Sequence, residues 1–248
     1  TNIAYLNDAE EHTGFFDRRL PHILEMPVKA AFKEIKGIDL NEVEVDEHGG
    51  VEQVAKDLID HVVKIYRATT LEVNNPYVTS FCSATPGYAP NNGLLSQWRG
   101  YGTDGGYAIV FETVGLQQLI EEECNNFLYQ YSTWGDVEYY DKDAEYKATH
   151  QETLNSEEKI LQTIRSYILK NNPNELEGLS VLMTMLSCMH KHRGFSEEAE
   201  VRIVAVPLHS EMIELIKNSG DERTKKPINF VMKNGILVPY IKLFGGHS

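Results

Sequence analysis

The chain has 248 residues, 42% of them hydrophobic, and a formal net charge of −14 from 23 basic and 37 acidic side chains. This length can bury one large core, and the negative field disfavours non-specific nucleic-acid binding, leaving open only a local basic groove around Lys225 and Lys226. Three cysteines without a C-x-x-C pair indicate a reduced, cytoplasmic protein. No signal peptide is visible, and no segment approaches the ~18 apolar residues of a membrane span, which excludes a membrane partner.

The N-terminal part of the chain carries helical signals. Asn7 is a good N-cap residue and predicts a helix that Pro21 and Pro27 interrupt. Residues 37–50 are acidic and bounded by glycine, which indicates a surface loop. Apolar residues recur every three or four positions over 51–66, the spacing of an amphipathic helix.

The middle of the chain mixes strand and helix signals. Alternating β-formers predict three strands, at 77–83, 107–112 and 136–140. Apolar spacing predicts a short helix over 115–124 and two long helices over 143–170 and 174–192. The segment between the long helices has the composition of a turn.

The C-terminal part predicts strands. Residues 200–208 are rich in β-branched side chains and end near a proline. Asn234 and Gly235 separate two apolar runs, which predicts a β-hairpin with a type I′ turn. Because strands and helices follow each other without regular βαβ alternation, we predict one α+β domain over 1–248, with a helical insertion at about 143–192.

The first candidate site is a tryptophan–arginine pair beside a glycine-rich stretch. The Trp98 indole can stack on a ring of a ligand, and the Arg99 guanidinium can bind phosphate at two points. The glycines within 100–106 allow the backbone to come close to a ligand. The alternative is a strand entry in which Trp98 fills a core and Arg99 pairs with a surface acid. The stretch has no G-x-G-x-x-G fingerprint.

The second candidate lies in the segment GFSEEAEVRIVAV. On a strand, Glu198, Glu200 and Arg202 would share one face, with Ala199 and Val201 on the other. Two carboxylates beside a guanidinium suit acid–base chemistry or the stabilisation of a cation. The alternative is a solvated strand face with a cross-strand ion pair.

Two further sets of reactive side chains lack the motif of a metal site or of a catalytic nucleophile, and the first of them favours a structural or surface role. Cys188 and His192 are four apart, as in a helical metal pair, but His190 would point to another face and no second ligand cluster follows. Ser80 and Cys82 lie in no known nucleophile motif, so covalent catalysis is disfavoured.

Four segments of the chain, taken in order, form a pattern that is typical of a known family. They read YLNDAEE, VTSFCSATPGYAPNNGLLSQWRGYGTDGGYAIVF, FSEEAEVRI and GILVPYI. Together they resemble the bacterial family catalogued as domain of unknown function 2971, and the W-R-G-Y and E-x-E-x-R elements are the most specific parts. The resemblance implies an ADP-ribosyltransferase-like fold, a split and mostly antiparallel sheet flanked by helices with NAD in a cleft.

The resemblance also implies roles for individual side chains. Glu200 matches the late-strand catalytic glutamate that contacts the nicotinamide ribose, and Glu198 matches its E-x-E partner. Trp98 and Tyr101 match the aromatic positions that flank nicotinamide. The cofactor-binding set is completed by three polar side chains: Arg99, placed at the pyrophosphate because of its charge, Ser80 and Arg202.

The implied function is that of a bacterial effector that consumes NAD as its substrate in a toxin or anti-phage defence setting. The reaction would be ADP-ribosyl transfer to a protein acceptor or hydrolysis of NAD. The alternative is a non-catalytic module that binds a nucleotide or a protein partner. The family normally opens with a strand carrying a His-Tyr pair before its L-N-D segment. Because L-N-D begins here at Leu6, we expect residues upstream of Thr1 to supply that strand.

Overall fold

A computed structural model describes residues 1–5, 13–36, 49–83, 93–102, 105–140, 148–170, 172, 174–218 and 220–245. These residues combine helices with an open, mostly antiparallel sheet, which confirms the predicted α+β class. Their contacts define two compact units, a sheet unit (Thr1–Asn7, Asn75–Val137, Arg193–Ser248) and a helical unit (Asp8–Asn74, Glu138–His192). The predicted single domain with a helical insertion stays a prediction, as does the upstream strand.

The helices and strands have the following bounds. The α-helices are α1 (Leu20–Lys36), α2 (Gly50–Ala68), α3 (Leu95–Tyr101), α4 (Thr113–Asn126), α5 (Gln151–Lys170), α6 (Asn174–Glu177), α7 (Ser180–Met189) and α8 (Ser210–Lys217). The strands are β1 (Tyr77–Cys82), β2 (Phe127–Asp136), β3 (Glu138–Tyr140), β4 (His190–His192), β5 (Glu200–Pro207), β6 (Thr224–Lys225), β7 (Ile228–Lys233) and β8 (Ile236–Ile241). Within the described ranges, no helix has the length and apolar content needed to cross a membrane.

The helical unit is built around the apolar faces of α1, α2, α5 and α7. The predicted amphipathic spacing over 51–66 is confirmed, because α2 buries four side chains one or two turns apart: Ala55, Ile59, Val62 and Tyr66. These pack with apolar side chains of the other helices, among them Leu24, Ile160, Ile164 and Met183. Burial of this shared face therefore holds the four helices together.

The prediction that two prolines interrupt the first helix is wrong. Both Pro21 and Pro27 lie within α1, which follows a π-helical turn at Phe15–Arg19. Pro21 lies two residues after this π-helical turn, inside a helical segment that runs without a break from residue 13 to residue 36. Pro27 lies between Leu24 and Val28, which are both buried, so packing maintains the helix across it. The predicted cap at Asn7 and most of the acidic loop 37–50 lie outside the described residues.

A buried ion pair crosses the core of the helical unit. The Arg19 guanidinium contacts Glu157 at two points, Nε to Oε1 at 2.8 Å and Nη2 to Oε2 at 2.6 Å. His190 is fully buried beside this pair, with Nε2 4.0 Å from Glu157 Oε1.

His190 and His192 were predicted to be helical, but they form β4, which pairs in parallel with β3. Their strand conformation puts both rings on one face, against the prediction of different faces.

Gly14 allows Tyr140 to pack closely against the backbone of the helical unit. A Cβ added at residue 14 would overlap the Tyr140 hydroxyl and lie 2.6 Å from its ring carbon Cζ. We therefore expect Gly14→Ala to lower the free energy of unfolding by about 1–3 kcal/mol, the usual cost of overpacking. Urea denaturation measures this cost. Adding Tyr140→Phe should recover part of it, and a double variant as unstable as the sum of its two singles would contradict the contact.

The sheet unit contains a four-stranded sheet in the order β1-β5-β2-β6. β5 lies between β1 and β2 and is antiparallel to both, and β2 pairs with β6 in parallel. One face is covered by α4, whose Leu116 and Ile120 pack against Ile203 of β5. Because side chains alternate along a strand, Glu200 and Arg202 lie on the opposite face.

The predicted hairpin is confirmed. β7 and β8 pair antiparallel in a separate two-stranded sheet, with Lys233 opposite Ile236. Asn234 and Gly235 both have positive φ, 52° and 78°, as a type I′ turn requires. The predicted helix over 115–124 and strand over 77–83 correspond to α4 and β1.

Lys226 does not contribute to a basic groove. It is 1% exposed, and its ammonium lies 2.7 Å from Glu123 and 3.8 Å from the Phe127 ring centroid. Tyr129 also donates a hydrogen bond to Glu123. Burial raises the pKa of the Tyr129 phenol, and this hydrogen bond raises it further. The charges of Lys226 and Glu123 are therefore paired inside the protein, which indicates a structural role for this cluster.

Two strand predictions need correction. The segment 107–112 is not a strand in the described structure, and Tyr107 and Val110 are 100% and 88% exposed. In contrast, the sequence pattern predicts a strand only from residue 136, whereas β2 already begins at Phe127 and is the longest strand described. Its run of aromatic and β-branched residues, FLYQYSTW, was the signal that was missed.

Candidate functional site

The centre of the candidate site is a buried ion pair at the start of β5. Glu200 is 3% exposed and Arg202 is fully buried. Arg202 Nε lies 2.6 Å from Glu200 Oε1, and Nη2 lies 3.3 Å from Oε2. The predicted sharing of one strand face by these two residues is therefore confirmed. Such a two-point contact fixes the orientation of the carboxylate and compensates its charge.

Small side chains flank this pair on the same face of the sheet. In the strand register, Arg202 lies between Ser80 of β1 and Gly135 of β2, and Cys82 lies opposite Glu200. Ser80 and Cys82 are exposed. The β1 edge of this face is therefore open to solvent next to the buried charges. Sequence reasoning missed Gly135 because only the strand register reveals it as a neighbour of Arg202.

Glu198 does not share the strand face. It ends a 3-10 helix, Arg193–Glu198, and β5 begins only at Glu200. Between them, Ala199 has a φ of +42°, and this left-handed conformation breaks the two-residue alternation on which the prediction depended. Ala199 is therefore not on the opposite strand face either. Glu198 is half-buried in the turn that leads into the strand.

The predicted solvated alternative for this strand is also wrong. β5 is buried on both faces over most of its length, including Val204 and Val206 on the face of Arg202. A purely surface ion pair is therefore excluded for Glu200 and Arg202. Burying this pair costs desolvation energy, and a pair on a strand face exposed to water would not incur that cost.

The tryptophan–arginine pair lies on a helix, not in a loop. α3 carries Trp98, Arg99 and Tyr101 within its seven residues. Arg99 is exposed and Tyr101 is 76% exposed, whereas Trp98 is half-buried. Helical spacing places Trp98 and Tyr101 on neighbouring positions of one face, with Arg99 turned away from them.

The glycines around α3 pack against the Trp98 indole. A Cβ added at Gly93 would lie 2.8 Å from Nε1, one at Gly102 would lie 3.1 Å from Cε3, and one at Gly106 would lie 3.8 Å from Cζ3. The indole therefore lies next to the backbone at three positions that carry no side chain. The glycines were predicted to let a ligand come close to the backbone. In the structure they let the Trp98 ring come close to it instead.

Gly93 is the most restrictive of these glycines, because its φ is +69° and its missing Cβ leaves room for the indole nitrogen. We expect Gly93→Ala to shift the emission maximum of Trp98 and to lower the free energy of unfolding by about 1–3 kcal/mol. Fluorescence should be measured in a Trp134→Phe background so that one indole reports. Gly100→Ala is the matched control, because its added Cβ meets nothing within 4 Å. Equal spectra for the two variants would contradict this packing.

No group of three or more His, Cys, Asp or Glu side chains is placed to hold a metal ion within the described part of the chain. Cys188 is buried at the end of α7, and His190 is buried in β4. His190 Nδ1 contacts the Leu186 carbonyl at 2.7 Å. Of the structural and surface roles predicted for this set, the burial of both residues fits the structural one.

A family model described as "Protein of unknown function (DUF2971)" matches residues 97–203. The chain resembles this family. The match covers somewhat less than half of the chain, and it includes six of the seven predicted site residues, all except Ser80. No curated protein and no solved structure matches the chain. The DUF2971 description assigns no activity, so a reaction has to be argued from the site.

Proposed function

We propose that this chain is an NAD-consuming enzyme, an ADP-ribosyltransferase or an NAD glycohydrolase, of a bacterial toxin or anti-phage defence system. The observation that carries the proposal is the Glu200 carboxylate, which is buried and oriented by Arg202. It lies in the late strand that the DUF2971 resemblance associates with the glutamate at the nicotinamide ribose. A fixed carboxylate in a poorly solvated site is suited to stabilising positive charge.

The proposed reaction begins with cleavage of the bond between ribose C1′ and the nicotinamide nitrogen. The bonding electron pair goes to nicotinamide, which leaves neutral, and positive charge develops on the ribose. Glu200 would stabilise this charge. Water, or a nucleophilic group of an acceptor protein, then forms the new bond to C1′ and releases a proton. The products are nicotinamide and either ADP-ribose or an ADP-ribosylated acceptor.

Other residues have supporting roles in this proposal. Arg202 is a positioning residue, since it touches Glu200 at two points. Ser80 lies beside Arg202 at the open edge of the face and would contact the ribose. Arg99 and Tyr101, both exposed on α3, would bind the pyrophosphate and nicotinamide.

One observation favours the alternative of a non-catalytic module that binds a nucleotide or a protein. Both carboxylate oxygens of Glu200 already contact Arg202, which is the arrangement of a structural ion pair. In this alternative the exposed side chains of α3 bind the partner and the pair only supports β5.

Product analysis separates the two functions. The purified protein is incubated with NAD, and nicotinamide and ADP-ribose are quantified by chromatography. We expect nicotinamide to accumulate, with equal ADP-ribose for a hydrolase and less for a transferase that is given its acceptor. NAD that binds the folded protein but stays intact would favour the binding module.

A further inference from the structure

The turn of the β7–β8 hairpin determines which backbone groups point out of it. Lys233 and Ile236 flank the two-residue turn, so they form a hydrogen-bonded pair. Hydrogen-bonded and non-hydrogen-bonded pairs alternate from there along the hairpin. The N–H and C=O groups of every second β7 residue therefore point away from β8, and these residues are Ile228, Phe230 and Met232.

The outer edge of β8 is protected against pairing with another strand. By the same alternation, Pro239 points outward on this edge, and as a proline it has no N–H to offer. Its carbonyl accepts a hydrogen bond from the Asn2 N–H at 3.1 Å, which agrees with the outward direction. Proline and a covering segment are two devices by which proteins keep a sheet edge from pairing with another chain.

The outer edge of β7 lacks both forms of protection. No proline and no charged residue lies among residues 228–232. Within the described part of the chain, no hydrogen bond joins the backbone of Phe230 or Met232 to a segment outside the hairpin. These two residues are 58% and 65% exposed. An open edge of this kind is a template for a further strand.

The side chains along this edge are apolar and face solvent. Phe230 and Met232 share one face of the hairpin with Leu237, whereas Val231 and Ile236 lie on the other face. All five are 49–65% exposed. Contiguous exposed apolar surface marks an interaction site. Beside an open strand edge, it fits an extended peptide that packs alternate side chains against it.

The charge around the hairpin indicates the class of partner. Residues 223–248 contain five of the chain's 23 basic side chains and none of its 37 acidic ones. Two of the five, Arg223 and Lys226, form ion pairs within the chain. Lys225 precedes β7 and Lys233 ends it, and both are exposed. Because salt screens charges beyond about 8 Å, these lysines act on a segment that lies along β7.

We propose that the outer edge of β7 binds an extended acidic segment of a partner protein as a third strand. The outward backbone groups of Phe230 and Met232 bond to the backbone of this segment, and its apolar side chains pack on theirs. Carboxylates at its two ends face Lys225 and Lys233. A second copy of the hairpin fits less well, since antiparallel pairing would bring Lys225 of one copy to the Lys233 end of the other. This inference does not depend on NAD chemistry.

Fluorescence anisotropy with labelled synthetic peptides tests the class of partner. The probe alternates threonine and valine between two acidic residues at each end, and its control carries two lysines at each end instead. We expect the acidic peptide to bind at least about tenfold more tightly than the basic one. Raising the salt concentration from about 50 mM to about 300 mM should weaken its binding at least threefold or so. Equal affinity for the two peptides, or no binding of the acidic one, would overturn the proposal.

Two proline variants test which edge is used. Met232 and Leu237 lie opposite each other on one face, so Met232→Pro and Leu237→Pro each remove an exposed apolar side chain and an outward N–H. They do so on opposite edges of the hairpin. We expect Met232→Pro to weaken binding of the acidic peptide about tenfold and Leu237→Pro to weaken it less than about twofold. Equal weakening by the two variants would contradict the assignment to β7.

Hydrogen exchange on the unsubstituted protein gives a measurement that does not require the proline variants to fold. With the acidic peptide at saturation, we expect the Phe230 and Met232 amides to exchange about tenfold more slowly and the Leu237 amide to be unchanged. Unchanged exchange at Phe230 and Met232 in the saturated complex would overturn the proposal. A dimer in sedimentation equilibrium that Met232→Pro dissociates would also overturn it, because the occupant of the edge would then be a second copy.

Discussion

Replacing Arg202 by methionine is expected to lower the free energy of unfolding by about 3–5 kcal/mol. The substitution leaves the Glu200 carboxylate 3% exposed without the guanidinium that contacts both of its oxygens. Removing one partner of a buried ion pair is among the most destabilising changes in a protein core. Methionine is close to arginine in length and apolar, so the loss reflects charge more than volume.

Urea denaturation at neutral pH measures this effect, with Arg99→Met as the control. Arg99 is exposed on α3, so its substitution should change stability by no more than about 0.5 kcal/mol. Adding Glu200→Gln to Arg202→Met should recover part of the loss, because it removes the buried carboxylate charge that Arg202 contacts in the parent protein. A loss below about 1 kcal/mol for Arg202→Met, or no recovery in the double variant, would mean that the pair is not a strongly coupled buried contact.

Glu200→Gln is expected to slow NAD turnover by a factor of about 10²–10³. Glutamine keeps the shape of the side chain and removes the negative charge that would stabilise the ribose cation. Loss of one such transition-state contact commonly costs this much. The effect should fall on kcat, with KM for NAD nearly unchanged, because ground-state NAD carries no charge on its ribose ring.

Two controls accompany this variant. Circular dichroism and urea denaturation establish that Glu200→Gln is folded under assay conditions, because the substitution places a neutral side chain where Arg202 contacts a carboxylate. Glu198→Gln gives the comparison along the chain: Glu198 lies in the 3-10 turn and off the strand face, so we expect a smaller loss than for Glu200→Gln. An effect of Glu200→Gln confined to KM would assign Glu200 to binding rather than to chemistry.

The parts of the fold that sequence predicted are those in which local pattern and packing agree. The amphipathic spacing of α2 and the Asn234-Gly235 turn each determine their structure over a few residues. The prolines of α1 misled the prediction because the surrounding apolar side chains hold the helix across them. Propensity is a local quantity, and core packing overrides it.

The candidate site was predicted in part. The alternation of Glu200 and Arg202 on one strand face was readable because β-strands repeat every two residues. Glu198 was misplaced because nothing in an E-x-E pattern reveals a left-handed Ala199. The burial of the pair and the position of Gly135 beside Arg202 depend on strand pairing between distant segments, which no local pattern specifies.

Nicotinamide release in a single turnover, with the protein in excess over NAD, tests whether this chain cleaves NAD through Glu200. It reports cleavage of the glycosidic bond whether water or an acceptor receives the ADP-ribose. We expect the folded 248-residue protein to release nicotinamide and the Glu200→Gln variant to release it at least about 100-fold more slowly. Intact NAD after incubation with the folded protein, or equal rates for the parent and Glu200→Gln, would contradict it.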